Sequence, residues 1–250
     1  MSTYKLKVLS AQIFLILLFL TFWEIGSNNG FINSFIFSSP SRIFNTLISL
    51  IENGELFRHI SVTFLEVLYA FLIGISIAFI ISTIMYLNRF ISDVIDPFLT
   101  MLNSLPKVAL GPIIIIWAGA NTKSIIVMAL LINVIVSIIT IYSGFKTTDE
   151  IKIKLFKSFK ATKYQILTKL VIPSNIPSII SALKINISMT FIGVIMGEFL
   201  ISKKGIGYLI LYGTQVFNLN IVITGIFILI IMSYGLYRII SYVEKRVTIS

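Results

Sequence analysis

Long runs of apolar residues, separated by short polar connectors, form the main pattern along the chain. A helix needs about 20 mostly apolar residues to cross the ~30 Å hydrocarbon core of a bilayer. Six runs have about that length, and they cover residues of about 11–27, 64–87, 97–119, 124–145, 175–200 and 221–240. The pattern therefore predicts an all-α polytopic membrane protein with six transmembrane helices in a single domain, residues 1–250.

The first run could be either a signal peptide or a retained span. It follows Lys5 and Lys7, as the apolar part of a signal peptide would. No small-residue cleavage site follows it, however, and Trp23 has the position of an aromatic anchor at the membrane surface. We therefore interpret residues 11–27 as a transmembrane helix.

The composition favours a lipid environment and argues against enzymatic chemistry. Hydrophobic residues make up 57% of the chain, and charged residues make up only 12%, well below the fraction typical of soluble domains. The chain has no cysteine and a single histidine, His59, which we interpret as a polar residue at the membrane interface. We therefore expect no metal site, no cofactor and no catalytic residue.

The basic residues lie in connectors beside the apolar runs, which argues against a nucleic-acid partner in spite of the formal charge of +10. One set of connectors, which includes both ends of the chain, holds Lys5, Lys7, Arg89, Lys146, Lys152, Lys154, Lys157, Lys160, Lys163, Lys169, Arg238, Lys245 and Arg246. The opposite set holds only Arg42, Arg58, Lys123, Lys203 and Lys204. Since positive connectors stay in the cytoplasm, the sequence predicts a multi-pass protein with both termini cytoplasmic.

One connector is both basic and aromatic, and it reads "IKIKLFKSFKATKYQILTKLVIP", residues 151–173. Four of its apolar residues recur at helical spacing: Leu155, Phe159, Ile166 and Leu170. Pro173 is predicted to end this helix. The spacing fits a helix that rests on anionic lipid, and it fits equally a helix docked in the groove of a cytoplasmic partner, with Phe156 and Phe159 as buried anchors.

The order of several motifs resembles that of the permease subunits of ATP-binding-cassette importers, in the group for nitrate, sulfonates, taurine and thiamine-pyrimidine precursors. The motifs are "DPFLTMLNSLPKVALGPIIIIWAG", "KATKYQILTKLVIPSNIPSII" and "GEFLISKKGIGYLI". The resemblance implies a type I importer permease in the plasma or inner membrane. It also implies three protein partners: an ABC ATPase subunit, an extracytoplasmic substrate-binding protein and a second permease copy, expected to form a homodimer.

In such permeases a cytoplasmic loop carries a motif with a glutamate-alanine-alanine start, a glycine four residues later and a proline further on. Aligned on Pro173, the start falls at 154–156 and the glycine at Lys160, so this chain departs from the motif at all four positions. The resemblance implies a coupling segment of about 150–172, with these ATPase-coupling residues: Leu155, Phe156, Ser158, Phe159, Lys160, Ala161, Thr162 and Gln165. A lysine in place of the glycine indicates altered local geometry.

Polar residues within the apolar runs are candidates for the translocation pathway, because ionisable groups in a bilayer normally face protein or water. The candidates are Asn103, Pro106, Lys107, Asn133, Lys184, Asn186 and Glu198. A structural interpretation pairs Lys184 with Glu66 or Glu198 and bonds the asparagines across helices. A functional interpretation places Lys107 and Lys184 on a water-filled path for an anion. Similar permeases often carry arginine at the position of Glu66, which argues against assuming such a path.

The sequence thus predicts the membrane-spanning subunit of an ATP-driven importer for a small anionic or heterocyclic solute. The chain has no phosphate-binding loop of the G-x-x-x-x-G-K-[ST] type, so ATP hydrolysis is expected on a separate subunit. "KKGIGYL" is interpreted as a turn between the fifth and sixth spans. The alternative function is a self-contained secondary transporter or channel, in which the basic connector only rests on lipid.

Overall fold

The computed structural model describes residues 3–248, and every regular element in that range is helical. The predicted domain, residues 1–250, extends past the described residues at both ends. In chain order the helices are α1 (Thr3–Asn28), α2 (Ser34–Phe37), α3 (Pro40–Glu52), α4 (Glu55–Leu87), α5 (Arg89–Ser104), α6 (Gly111–Ala118), α7 (Thr122–Lys146), α8 (Glu150–Ser158), α9 (Lys163–Ile166), α10 (Ile172–Ser174), α11 (Ile176–Ile201), α12 (Ile206–Gln215) and α13 (Leu219–Thr248). A 3₁₀ turn (Lys107–Leu110) precedes α6, and a π-helical turn (Leu167–Val171) joins α9 to α10.

Five helices of the described chain are long and apolar enough to cross a membrane: α1, α4, α7, α11 and α13. A sixth crossing exists if α5 and the helical stretch Lys107–Ala118 form one span, but these two pieces are bent by 88° relative to each other. The predicted fold class, an all-α polytopic membrane protein, is confirmed. The third predicted run is a broken span.

Proline chemistry explains the break in the third run. Leu105 precedes Pro106 and has extended backbone angles, φ −69° and ψ 140°, which is the conformation that a residue before proline prefers. Pro112 lies in the first turn of α6, where its missing N–H costs no helical hydrogen bond. The sequence therefore ends one helix and starts another within a few residues.

Helices α4, α7 and α11 form the central core, and α7 and α11 make the most extensive contact. Glycines allow their close approach: a Cβ on Gly193 of α11 would lie 3.1 Å from the backbone nitrogen of Ala129, and one on Gly197 would lie 3.0 Å from Cα of Ile125. Gly193 and Gly197 form a G-x-x-x-G pair, a pattern that allows two helix backbones to approach closely.

The connector between α1 and α4 contains the amphipathic helix α3. Its N-cap is Ser39, whose hydroxyl accepts from the Arg42 N–H. Ser41 donates its N–H and hydroxyl to the Glu24 carboxylate, at 3.0 and 2.8 Å. Trp23 of α1 stacks on Phe227 of α13 with the ring centroids 6.2 Å apart, so α1 is attached to the bundle at this end.

Candidate coupling and pathway sites

The predicted coupling segment consists of two helical pieces with a turn between them. α8 ends at Ser158, and α9 begins at Lys163. At the turn, Thr162 accepts from the Gln165 N–H while the Gln165 side chain accepts from the Thr162 N–H, which forms a complete capping box. The prediction of one continuous helix was therefore wrong, because these residues encode a new helix start. Pro173 lies within α10 and does not end the segment.

Lys160 occupies the tightest point of this turn. Its φ is +57°, a left-handed conformation that costs a residue with a Cβ about 1–2 kcal/mol. Glycine would adopt this conformation without that steric cost. The structure thus keeps the bend at the position where similar permeases carry glycine, and it does so with a lysine.

The apolar stripe of the coupling segment divides at the turn. Ile166 and Leu170 are buried, whereas Leu155 and Phe159 are 53% and 76% exposed. The buried half belongs to a core cluster that includes Met85 of α4. This cluster fixes the second half of the segment to the ends of the core helices.

Two of the eight predicted coupling residues, Phe156 and Ala161, turn inward and pack against the same core cluster. The other six side chains are exposed, and we call them the coupling face: Leu155, Ser158, Phe159, Lys160, Thr162 and Gln165. The expectation that Phe156 and Phe159 both serve as anchors in a partner therefore needs correction. Phe156 anchors the segment to its own chain, and only Phe159 is free to enter a groove.

Positive charge surrounds the coupling face. The six lysines between residues 152 and 169 are all exposed, and none of them takes part in the ion pairs of the described chain. Asp149 caps α8 through the N–H of Ile151, at 2.8 Å. The coupling face therefore presents the Phe159 ring among exposed lysines that form no ion pair in the described chain. Such a surface is complementary to an acidic groove.

The first group of predicted pathway residues lies at the bend of the broken span. The Lys107 Nζ donates to the backbone oxygen and to the side-chain Oδ1 of Asn103, at 3.2 Å each. Asn103 and Pro106 are exposed, and Lys107 is partly buried. The cation is thus held at the break by groups of its own chain segment.

Lys184 has a different partner from those expected on the sequence. Its Nζ lies 2.5 Å from Oε2 of Glu244 on α13 and 5.4 Å from the centroid of the Tyr237 ring. The predicted alternatives, Glu66 and Glu198, are not its partners. Beside this pair, a cavity of about 370 Å³ is lined by Lys184, Ser181, Ser188, Met189 and Tyr237 among others. Glu244 was missed although a lone acid among the basic residues of "YVEKRV" was a visible signal.

Asn133 and Asn186 are completely buried in a polar network among the three core helices. The Asn133 amide donates to Thr190 Oγ1 at 2.7 Å and to the backbone oxygen of Ala70 at 3.3 Å. The Asn186 amide donates to Ser137 Oγ at 2.7 Å. The asparagines bond across helices, as the structural interpretation expects.

Glu198 is completely buried near the end of α11. Its Oε1 accepts from the Thr63 hydroxyl at 2.6 Å, and its Oε2 accepts from the Gly207 N–H at 2.5 Å. The seven predicted pathway residues thus fall into separate groups rather than one cluster. Their role in a pathway stays a prediction.

Comparison with known proteins supports the resemblance. A model of the family described as the binding-protein-dependent transport system inner membrane component matches residues 70–249. An ABC transporter permease protein of Haemophilus influenzae is 29% identical over 227 residues, which cover 91% of this chain and 92% of the relative. The formylaminopyrimidine transport permease protein ThiX of Halalkalibacterium halodurans is 28% identical over 192 residues, or 77% of this chain and 76% of the relative.

More distant similarities agree with these. The taurine transport system permease protein TauC of Escherichia coli is 19% identical over 234 residues, which cover 92% of this chain and 85% of the relative. A chain of the inward-facing MetNI methionine ABC transporter superposes with a TM-score of 0.62 at 16% identity, covering 81% of this chain and 98% of that chain. The family match and the shared fold lead to one conclusion: the chain belongs to the family of binding-protein-dependent transport system inner membrane components, the permeases of ABC importers, which work with a separate ATPase and a substrate-binding protein.

Proposed function

We propose that two copies of this chain form the translocation pathway of an importer and that the ATPase drives it through the coupling face. The observation that carries this proposal is the structure of the coupling segment. It exposes Phe159 and a set of lysines on one side, while Phe156 on the other side packs against the core cluster. A force applied to the exposed side would therefore reach the membrane helices directly.

The path of that force is short. Ile153 and Phe156 of α8 pack against the cluster that contains Phe145 at the end of α7. Phe145 is 1% exposed and contacts Tyr86 of α4 edge to face, with the ring centroids 5.9 Å apart. Movement of the coupling segment would shift α4 and α7 together, which suits a switch between two packed states.

The proposed orientation places the coupling segment in the cytoplasm together with both termini. Its support is the excess of lysine and arginine in the connectors on that side. α3 and α12 then lie at the outer end, where a substrate-binding protein would deliver the solute. The cell membrane, plasma or inner, is the proposed location.

For the second copy we propose the side of the molecule formed by α11 and α13. An apolar groove of about 640 Å³ lies between these helices and is lined by Phe191, Ile195, Leu229 and Tyr234 among others. Lys184 and the 370 Å³ cavity lie in the same interhelical region, since Ser188 and Tyr237 line both spaces. Two such sides facing each other would enclose a pathway.

As the solute we propose a small anionic or heterocyclic compound, such as a sulfonate, nitrate, taurine or a thiamine precursor. The names of ThiX and TauC point to a pyrimidine and to taurine as solutes of those relatives. In this chain, Lys184 and Lys107 are the cationic groups available along the proposed pathway. Selection of the solute would depend mainly on the substrate-binding protein.

Uptake into reconstituted vesicles tests the proposal. Vesicles are prepared with the permease alone and with the permease plus its ATPase, and both receive the substrate-binding protein with labelled taurine or formylaminopyrimidine. We expect uptake only when the ATPase and ATP are present. Uptake by the permease alone would overturn the proposal and favour a secondary transporter or channel.

A further inference from the structure

The turn between α11 and α12, residues 202–205, is held by three buried acceptors. The N–H of Gly205 donates to His59 Nδ1 at 2.9 Å, and the N–H of Ile206 donates to Thr63 Oγ1 at 2.7 Å. The N–H of Gly207 donates to the Glu198 carboxyl group, as described above. The first N–H groups of a helix have no partner within the helix. Here α4 and α11 supply those partners.

Gly205 shows how closely the turn approaches the acidic group. Its φ is +103°, and a Cβ at this position would overlap the Glu198 carboxyl group. Glycine meets both requirements because it has no Cβ and tolerates positive φ. The turn and the carboxyl group are therefore packed against each other without intervening space.

A second buried carboxyl group lies against the first. Glu66 of α4 is 3% exposed, and its carboxyl group is within hydrogen-bonding reach of that of Glu198. The Oε2 atom of Glu66 is buried and has no hydrogen-bond donor. Two carboxylates in contact repel each other, and a buried acceptor without a donor is costly. A single proton between the two groups removes both problems.

Both carboxyl groups have hydrogen-bond donors besides each other. Glu198 accepts from two donors, the Thr63 hydroxyl and the Gly207 N–H, and its carboxyl group lies at the N-terminus of α12. These contacts stabilise its ionised form. Glu66 has the orphan oxygen. Thr122 is also within reach of Glu66, so both carboxyl groups have donors and the pair shares one proton.

The carboxyl pair must hold a proton, whereas His59 must lack a proton on Nδ1 for the same turn to stay in place. Its Nδ1 can accept from Gly205 only if that nitrogen carries no proton. The ring is 7% exposed and stacks on Tyr208 of α12, with the centroids 5.9 Å apart. Protonation of Nδ1 would remove the acceptor and place a charge in a buried position.

Few other charged groups face these three residues. Thr122 at the start of α7 is the other polar side chain within reach of Glu66. Glu55 and Arg58 of α4 are the charged residues near His59. Lys203 and Lys204 of the turn are exposed. In the described chain, neither Glu66 nor Glu198 forms an ion pair with lysine or arginine.

We propose that Glu66, Glu198 and His59 form a proton-controlled clamp on the α11–α12 turn, which is closed only while the carboxyl pair holds one proton and His59 Nδ1 holds none. Acid opens the clamp through His59. Alkali opens it through loss of the shared proton, because the two carboxylates then repel each other and loosen the turn. The clamp is thus most firmly closed at intermediate pH. This inference does not rest on the solute, the dimer or the coupling to an ATPase.

A cysteine placed under the turn measures its opening. The chain has no cysteine of its own, so Ile206→Cys introduces a single thiol at a completely buried position. Lys204→Cys places a thiol at an exposed position of the same turn and corrects for the pH dependence of thiol reactivity. The purified permease is labelled with a maleimide in lipid nanodiscs across a range of pH. We divide the labelling rate of the Ile206→Cys variant by that of the Lys204→Cys variant. We expect this ratio to have a minimum at intermediate pH and to rise about tenfold toward both acidic and alkaline pH.

Two further substitutions separate the acid rise from the alkaline rise of this pH profile. Glu66→Gln keeps a donor for Glu198 without a titrating group, so we expect the alkaline rise to disappear while the acid rise remains. His59→Gln keeps an acceptor without a titrating ring and should abolish only the acid rise. Glu150→Gln removes an exposed carboxyl group of α8, in the coupling segment, and is the control that should leave the profile unchanged. A flat profile in the unsubstituted background, or the same profile after Glu66→Gln, would overturn the proposal.

An infrared measurement avoids the cysteine variants altogether. A protonated buried carboxyl group gives a carbonyl stretch distinct from that of a carboxylate. We expect this band in the unsubstituted permease at intermediate pH, its loss in alkali and its absence in Glu66→Gln. If the band is absent from the unsubstituted permease, or is displaced by added sodium at constant pH, the pair holds no proton or binds a cation instead, and the proposal is wrong.

Discussion

The contact of α7 with α11 and the contact of α11 with α13 differ in kind, although the same helix forms both. Between α7 and α11, glycines and a buried amide network bring the backbones close together. Between α11 and α13, a 640 Å³ groove remains open and one ion pair, Lys184 with Glu244, bridges the helices near a cavity. The first contact is close along the helices, whereas the second combines an apolar core around Ile240 with a groove able to receive another molecule.

The coupling segment packs against the closely packed helices α4 and α7. Its inward residues join the cluster of α4 and α7, whereas the hydrogen bonds of its outward side chains in the described chain are local ones, within the capping box and from Ser158 to Leu155. We therefore expect two parts of the molecule to move relative to each other. A tightly packed unit of α4, α7, α11 and the coupling segment would move together, and α13 would move relative to it.

The largest effect is expected where the two backbones touch. Gly193→Ala places a Cβ against the Ala129 backbone, so we expect a loss of stability of roughly 2–3 kcal/mol. Gly235→Ala on α13 is the matched control, because a Cβ there meets nothing within 4 Å. Thermal unfolding in detergent measures both variants. Equal stability of the two would contradict the distinction between the contacts.

A smaller effect is expected from the amide network of the same unit. Asn133→Ala removes the bonds to Thr190 and Ala70 and should destabilise the bundle by about 1–2 kcal/mol. Asn121 caps α7 but lies at an exposed position. Asn121→Ser, which retains an N-cap, should therefore change the melting temperature little. Insensitivity to the loss of Asn133 would mean that the network does not hold the helices together.

The turn of the coupling segment should gain stability from a glycine. Lys160→Gly relieves the left-handed conformation and should stabilise the fold by about 0.5–1 kcal/mol, after the entropy lost by glycine is deducted. Lys157→Gly removes a lysine of the same segment but lies within α8, where glycine costs about 0.5–1 kcal/mol. Opposite shifts of the melting temperature are the expected result. A loss of stability in both variants would show that the Lys160 conformation is not strained.

The smallest change in stability is expected at the α11–α13 contact. Lys184→Met breaks the partly exposed pair with Glu244, and ion pairs that water can reach contribute little to stability. We therefore expect an assembled permease with altered uptake if Lys184 lines the pathway. Glu244→Gln leaves the cation in place and should alter uptake less. Loss of the assembled protein after Lys184→Met would assign Lys184 a structural role.

The sequence was informative wherever local chemistry determines structure. Apolar runs predicted the membrane helices, including the third run, in which Pro106 and Pro112 account for the break. The sequence also contains the capping box of Thr162 and Gln165. The helical spacing of the apolar residues between 155 and 170 nevertheless favoured a single helix, so one helix was expected in place of two.

Contacts between residues that are far apart in the sequence could not be predicted from local patterns. Lys184 and Glu244 are 60 positions apart, and Thr63 and Glu198 are 135 apart. Only the packing of α4, α11 and α13 brings these side chains together. The inward direction of Phe156 likewise depends on the cluster beneath it, since nothing in the local spacing distinguishes it from Phe159.

The most direct test of the coupling mechanism compares Phe156 with Phe159. Each is replaced by alanine, and each permease is assayed for retention of the ATPase during purification and for thermal stability. The structure predicts that Phe159→Ala releases the ATPase while the melting temperature is unchanged, and that Phe156→Ala lowers the melting temperature because it removes a side chain from the core cluster. If Phe159→Ala retains the ATPase and supports normal ATP-driven uptake, the coupling face is not where the ATPase binds.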